Sequence, residues 1–122
     1  MGQLAASRTG IAVKQGDVFY TSLEPTVGHE QRGHRPVLVL TPERYNLLTK
    51  MPIVAAITTS GAFAVRNDLS VSLDGAGMST SGIVRCDQIR SIDLEARGAR
   101  YVEAAPRYIV DEAISLVTAI LG

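Results

Sequence analysis

At 122 residues the chain is the length of one domain with a single sizeable core, and its 46% hydrophobic content excludes intrinsic disorder for most of it. Twelve basic side chains balance twelve acidic ones, so no global field draws the chain to nucleic acid, and any phosphate binding must come from local placement of charge. Ten of the twelve cations are arginines, whose planar fork suits phosphate and carboxylate. The one cysteine, Cys86, excludes an intrachain disulfide. No Cys or His spacing suits zinc, so no metal site or cofactor is expected. No apolar run is long enough to cross a bilayer, and the N-terminus lacks the pattern of a signal peptide, which makes the cytoplasm the expected location.

Residues 1–14 show little periodicity and read as a flexible leader, leaving residues 15–122 as one domain. Val18 to Leu23 is a strand, with Val18, Tyr20 and Ser22 on one face and Phe19, Thr21 and Leu23 on the other, and Pro25 ends it. Gly28 to Pro36 is a polar loop of specified geometry that holds both histidines, His29 and His34, with Arg32 and Arg35. A solvated hairpin loop would be polar too, but it would not need both histidines within six residues.

Pro36 to Leu40 is a continuous apolar strand, buried on both faces. Thr41 and Pro42 start a short helix, with Thr41 as N-cap and Pro42 at the first helical position. Pro52 to Ile57 is a second buried strand that runs into the hydroxyl cluster Thr58, Thr59, Ser60. Such hydroxyls serve turns, or bind phosphate and base edges. Residues 61–68 read as a loop. Leu69, Val71 and Leu73 alternate with serines as a strand, Asp74-Gly75 turns it, and Ser91 to Leu94 reads as a further strand beyond the next one. Pro106 opens a terminal helix with an apolar stripe at 109, 110, 113, 114, 117, 120 and 121. The order predicts a bent antiparallel sheet or small barrel carrying helices.

The chemistry is expected on the strand Gly82-Ile83-Val84-Arg85-Cys86-Asp87-Gln88. Arg85 and Asp87 share a face ~7 Å apart, close enough for both to reach one phosphodiester, while Cys86 points inward with Val84 as a packed apolar residue. The same pattern suits a surface ion pair, which contributes ~0–1 kcal/mol.

Taken together, Gly16-Asp17-Val18, Pro25-Thr26-x-Gly28-His29-Glu30-Gln31, Arg35-Pro36-Val37, Thr58-Thr59, Arg85-Cys86-Asp87-Gln88 and the terminal helix resemble the MazF/PemK/Kid toxins of type II toxin–antitoxin systems, and the PemK/Kid branch most. The resemblance spans about residues 15 to 121. It implies a mainly β, SH3-like small barrel of the CcdB/PemK kind with a C-terminal helix, working as a homodimer. It implies a sequence-specific, metal-independent endoribonuclease that cuts single-stranded mRNA and so inhibits translation and growth. It also implies a cognate antitoxin whose acidic C-terminal tail blocks the RNA groove. Thr58-Thr59 follows the MazF branch, so the cleavage sequence does not carry over.

RNA brings its own nucleophile, the 2′-OH, so an enzyme without metal needs a base, cationic donors and help for the leaving 5′-oxygen. Asp87 is expected to take the 2′-OH proton, Arg85 to stabilise phosphate charge, and His29 to serve the phosphate or the leaving oxygen. The matching residues of the PemK/Kid branch are regarded as base and acid, but a guanidinium is a poor proton donor. In the MazF branch the residues matching Arg35 and Thr58 are held essential, as phosphate ligands here. Glu30, Gln31, Thr59, Ser60 and Ser81 are further expected RNA contacts. Two rivals remain: a gyrase poison of the CcdB kind, disfavoured because the chain has no Trp, and a silent barrel that only binds antitoxin or RNA.

Overall fold

The structure, a computed structural model, describes residues 12–59 and 67–122. Among the described residues six strands are interspersed with two helices: β1 (Asp17–Ser22), β2 (His34–Val39), α1 (Glu43–Thr49), β3 (Ile53–Thr58), β4 (Ser70–Ser72), β5 (Ile83–Ser91), β6 (Arg100–Ala104) and α2 (Arg107–Leu121), with a 3₁₀ turn at Asn67–Leu69. All described pairings are antiparallel, in the order β4-β5-β3-β2-β1-β6.

Strand alternation sorts the core into two halves. On one face Val18, Leu38, Ala55, Ile57, Val84 and Cys86 pack against Ile109, Ala113 and Val117 of α2. On the other face Phe19, Val37, Val39, Val54 and Ala56 meet Leu23, Ile92, Leu94 and Ala99. β2 and β3 are therefore buried on both sides, which is why their sequences read as unbroken apolar runs. The α2 stripe is buried at Ile109, Val110, Ala113 and Val117, whereas Ile120 and Leu121 emerge into solvent. Among the described residues no helix is long and apolar enough to cross a membrane.

The sheet does not close into the expected barrel. β4 and β6 are its two edges, and no ladder joins them. Side chains bridge the seam instead. The Glu103 carboxylate on β6 accepts the backbone N–H and hydroxyl of Ser79 at 3.1 and 2.9 Å, and those of Thr80 at 2.7 and 2.6 Å. One anion thus satisfies four donors from the β4–β5 connection, so the curled sheet is held without edge-to-edge pairing.

Three local expectations change. Thr41 is not a cap: its hydroxyl donates to Asn46 Oδ1 at 2.6 Å and accepts the Ile53 N–H at 3.1 Å, while Pro42 stands at the N-cap with no side-chain bond. The buried Asn46 also donates to the carbonyls of Val13 and Thr41, so Val13 is packed rather than loose. Residues 1–11 of the expected leader lie outside the described residues, as does most of the expected 61–68 loop. Ser91 to Leu94 is not a separate strand: β5 runs on to Ser91, and the Asp93 carboxylate then accepts the Ala96 N–H three residues on at 3.0 Å, a local bond that competes with a ladder. The strand that does follow, β6, was hidden by its half-exposed edge position.

Candidate active site

A bulge in β5 shapes the site. Ala56 pairs with Arg85 and its neighbour Ala55 pairs with Ile89, so Cys86, Asp87 and Gln88 are extra on the β5 side. Bulges re-aim side chains, and an odd insertion exchanges the two faces. Arg85 lies opposite Ala56 on the face away from α2, whereas Ile89, beyond the bulge, packs in the α2 half of the core. Gly82 leads into this strand at φ +112°, and a Cβ there would overlap the carbonyl oxygen of Thr58.

Inside the bulge the residues divide as alternation predicts. Cys86 is buried, with its thiol 3.8 Å from the Ala113 carbonyl oxygen, and burial, aided by Asp87 and Glu112, pushes its pKa up to about 11. A thiol held neutral is a packing group, not a nucleophile. On the opposite side Arg85 grips Asp87 through both carboxylate oxygens, Nε to Oδ1 at 3.0 Å and Nη2 to Oδ2 at 2.9 Å. The two side chains are 15% and 27% exposed, so the pair is screened yet reachable from solvent.

Thr58, buried at the end of β3, donates its hydroxyl to Gln31 Oε1 at 2.8 Å. The backbone N–H of Gln31 in turn reaches Gln88 Oε1 at 3.1 Å. Two floor residues thus pin one residue of the loop between β1 and β2. The loop is also braced internally. Glu24 accepts the Gly33 N–H at 2.7 Å and the Thr26 hydroxyl at 3.2 Å, and the Gly33 bond above all holds its carboxyl below the ordinary value. Glu30 accepts the Val27 N–H at 2.8 Å. From behind, Arg97 donates to the carbonyls of Ser22 and Glu24, and Arg90 to that of Leu23.

His29 stands exposed on this loop, two residues before the pinned Gln31, with no hydrogen bond among the described residues. The other histidine parts from it: His34 opens β2 and stacks on Tyr20, with ring centroids 6.0 Å apart, while the Arg100 guanidinium lies 5.4 Å from the Tyr20 ring. Arg35 is half-buried, and its Nε donates to the Arg32 carbonyl at 2.8 Å. By strand parity through the Val37–Ala56 pair it shares a face with Thr58 and Arg85. Thr59 and Ser81 are exposed where β3 and β5 separate, and Ser60 lies outside the described residues.

The structure therefore brings Arg85 to Asp87 and Thr58 to Gln31, with Arg35 on the same face. The pattern alone left Gln88 and Arg90 without a role, and of the two Gln88 holds the loop from the floor. Its signal was its place beside Asp87 in the Arg-Cys-Asp-Gln run. Between loop and floor lies an open pocket of about 290 Å³, lined by Leu23, Pro25, Val54, Ala56 and Ile89 with Glu30, Gln31, Gln88 and Arg90. Among the described residues no three His, Cys, Asp or Glu side chains gather as a metal-binding group.

Residues 14–121 match the family of PemK-like, MazF-like toxins of type II toxin–antitoxin systems. The Escherichia coli endoribonuclease PemK is 45% identical over 109 residues, which span 89% of this chain and 82% of PemK. The endoribonuclease toxin ChpB of Escherichia coli (strain K12) is 37% identical over 109 residues, 88% of this chain and 93% of ChpB. Among solved structures, MazF from Deinococcus radiodurans aligns with a TM-score of 0.80 at 31% identity, over 89% of this chain and 96% of that one. A MazE–MazF complex from the same organism aligns with a TM-score of 0.72 at 26% identity, over 89% and 94%.

Proposed function

The chain belongs to the PemK-like, MazF-like toxins of type II toxin–antitoxin systems, and we propose on that premise that it is an endoribonuclease that cuts single-stranded mRNA by attack of the RNA's own 2′-OH. The observation that carries this reading is the two-pronged Arg85–Asp87 pair, placed beside a loop that the sheet floor holds down. Without substrate the two charges satisfy one another. A phosphate entering the site competes for the guanidinium fork, which matches phosphate as well as carboxylate. Asp87 is then released to take the 2′-OH proton while Arg85 stabilises the charge growing on phosphorus-bound oxygen.

The 2′-oxygen forms a bond to phosphorus and the bond from phosphorus to the 5′-oxygen breaks. The products are a 2′,3′-cyclic phosphate and a 5′-OH end. His29, exposed on the loop, donates to the phosphate or to the leaving oxygen. Arg35 supplies a second cation on the same face. Thr58 seats the loop through Gln31. Glu30, Thr59 and Ser81 line the approach for RNA, and Ser60 joins them by sequence position. Every role falls to a side chain, so the reaction needs neither metal nor cofactor.

The structural likeness to a MazE–MazF complex supports a cognate antitoxin as partner, with an acidic C-terminal tail that competes with RNA for the arginines. Homodimerisation completes the reading, supported by the apolar side chains left exposed at Leu47 and Leu48 on α1 and at Ile120 and Leu121 on α2. The site of action is the cytoplasm, where mRNA is found.

The test is incubation of the purified protein with mixed-sequence RNA in EDTA, followed by mapping of the ends. Cleavage that leaves 5′-OH ends at a recurring short sequence is expected. Intact RNA, or cleavage that EDTA abolishes, would overturn the proposal.

A further inference from the structure

We infer that Tyr20, His34 and Arg100 form a second RNA contact, a stacking platform outside the reactive groove, an inference that rests on the nuclease reading above. Three strands bring these side chains together. Tyr20 of β1 pairs with Arg100 of β6, and on its other flank β2 enters with His34 opposite Ser22, two residues along. The Tyr20 and His34 rings stack with centroids 6.0 Å apart and planes 29° from parallel. The Arg100 guanidinium carbon lies 5.4 Å from the centre of the Tyr20 ring, within the range of a cation–π contact.

Alternation sets Tyr20 and His34 on the same side of the sheet as Val18 and Leu38, the side that α2 packs on, whereas Arg35 points to the other. The helix leaves them uncovered: His34 and Arg100 are exposed and Tyr20 is half-buried. Nor does the fold use their polar atoms. Among the described residues the Arg100 guanidinium, the His34 nitrogens and the Tyr20 hydroxyl form no hydrogen bond or ion pair. Arg85 and Arg107, in contrast, are paired with carboxylates, and Arg32, Arg35, Arg90 and Arg97 are bonded to backbone carbonyls.

Stacked rings beside an uncommitted guanidinium receive a nucleotide in two parts. The base lies on the open face of the His34 ring, and the phosphate takes the donors of Arg100. Every base has a flat face, so the platform adds affinity without reading sequence. An acidic peptide would use the guanidinium but leave the ring pair idle, which favours the nucleotide. His34 and Arg35 are neighbours in β2 and point to opposite faces, so an RNA strand held at Arg35 reaches the platform by passing over the end of the β1–β2 hairpin.

The experiment measures equilibrium binding of the full-length protein to mixed-sequence 2′-deoxy oligonucleotides of ~4 to ~16 nucleotides by fluorescence anisotropy. The wild type is expected to bind the longer ones more tightly. His34→Ala and Tyr20→Ala should each weaken binding of the long oligonucleotides by about tenfold, the loss of one base–ring stack, and leave the shortest as in wild type. His34→Phe keeps a ring and should keep the affinity. Arg100→Gln should reduce the salt slope of long-oligonucleotide binding by about one. Cleavage of a short RNA should match wild type in all four variants. Tyr20 is half-buried, so the exposed His34 and Arg100 variants decide the matter if melting shows Tyr20→Ala unfolded. Affinity that does not depend on length, full affinity for long oligonucleotides in folded His34→Ala, or equal losses in His34→Phe and His34→Ala would overturn the inference. So would a glutamate-rich peptide whose binding alone depends on His34 and Arg100, which would assign the platform to a protein partner. These oligonucleotides lack the nucleophile, so the two readings separate. A protein that shows the expected binding losses but cuts no RNA sinks the nuclease alone, and one that cuts RNA with none of those losses sinks the platform alone.

Discussion

The Thr58 hydroxyl donates to Gln31 Oε1 at 2.8 Å, tying the end of β3 to a loop 27 residues earlier in the chain. With the Gln88 bond to the Gln31 backbone it anchors the loop two residues beyond His29. Thr58→Val is expected to lower cleavage by about two- to tenfold, the loss of one such bond at ~0.5–1.5 kcal/mol, with faster amide exchange over residues 24–33. Thr58→Ser should restore both. Unchanged exchange in the valine variant would show that the loop is held by other means.

Asp87→Asn should reduce the cleavage rate by ~10²–10⁴-fold, the usual range for a general base, with little change in melting temperature. Single-turnover kinetics on a mapped substrate measures it. Wild-type turnover in this variant would remove Asp87 from the proposed role.

Cys86→Ser is expected to retain cleavage and lose some thermal stability, because the thiol serves packing. Its pKa is raised from 9.0 to about 11, so the folded state favours the protonated form. The contribution is therefore complete below about pH 9 and is lost as pH rises towards about 11. Urea titrations across that window should show stability falling in the wild type and falling less in Cys86→Ser.

For Glu103 the sign is reversed. Burial pushes its carboxyl upward, but hydrogen bonds led by that of the Thr80 hydroxyl outweigh this and hold it below 4.5. Its stabilisation is present above that value and is lost as pH falls through the lowered folded pKa. Glu103→Ala should cost about 1–3 kcal/mol at neutral pH, and it should flatten the acid limb of stability measured by denaturant unfolding.

Gly82→Ala places a Cβ at a positive φ and against the Thr58 carbonyl. A loss of about 2–4 kcal/mol is expected. A melting temperature equal to wild type would show that β5 enters the sheet more freely than this geometry allows.

Much of the architecture was legible because burial leaves a pattern. Val37 to Val39 and Val54 to Ile57 read as apolar runs because both of their faces are covered. Arg85 and Asp87 were legible as partners because alternation holds between them. The bulge was not legible. Its three residues look like ordinary strand, and only pairing with Ala55 and Ala56 exposes them as extra. Hence Gln88 and Arg90 escaped notice as companions of Asp87. Strand β6 was missed because an edge with one half-buried face, alternating around Tyr101 and Glu103, carries too little apolar signal. The failure of the barrel to close was equally hidden, since four side-chain bonds to Glu103 have no sequence period.

The stretch from Cys86 to Gln88 constrains length as tightly as composition. Deleting one residue there would turn the remainder of the strand inside out, swinging Ile89 away from the terminal helix and Ile92 out of its apolar niche. Substitutions in this segment should therefore be survivable far more often than insertions or deletions, and a library that varies segment length would find most of its members unable to fold.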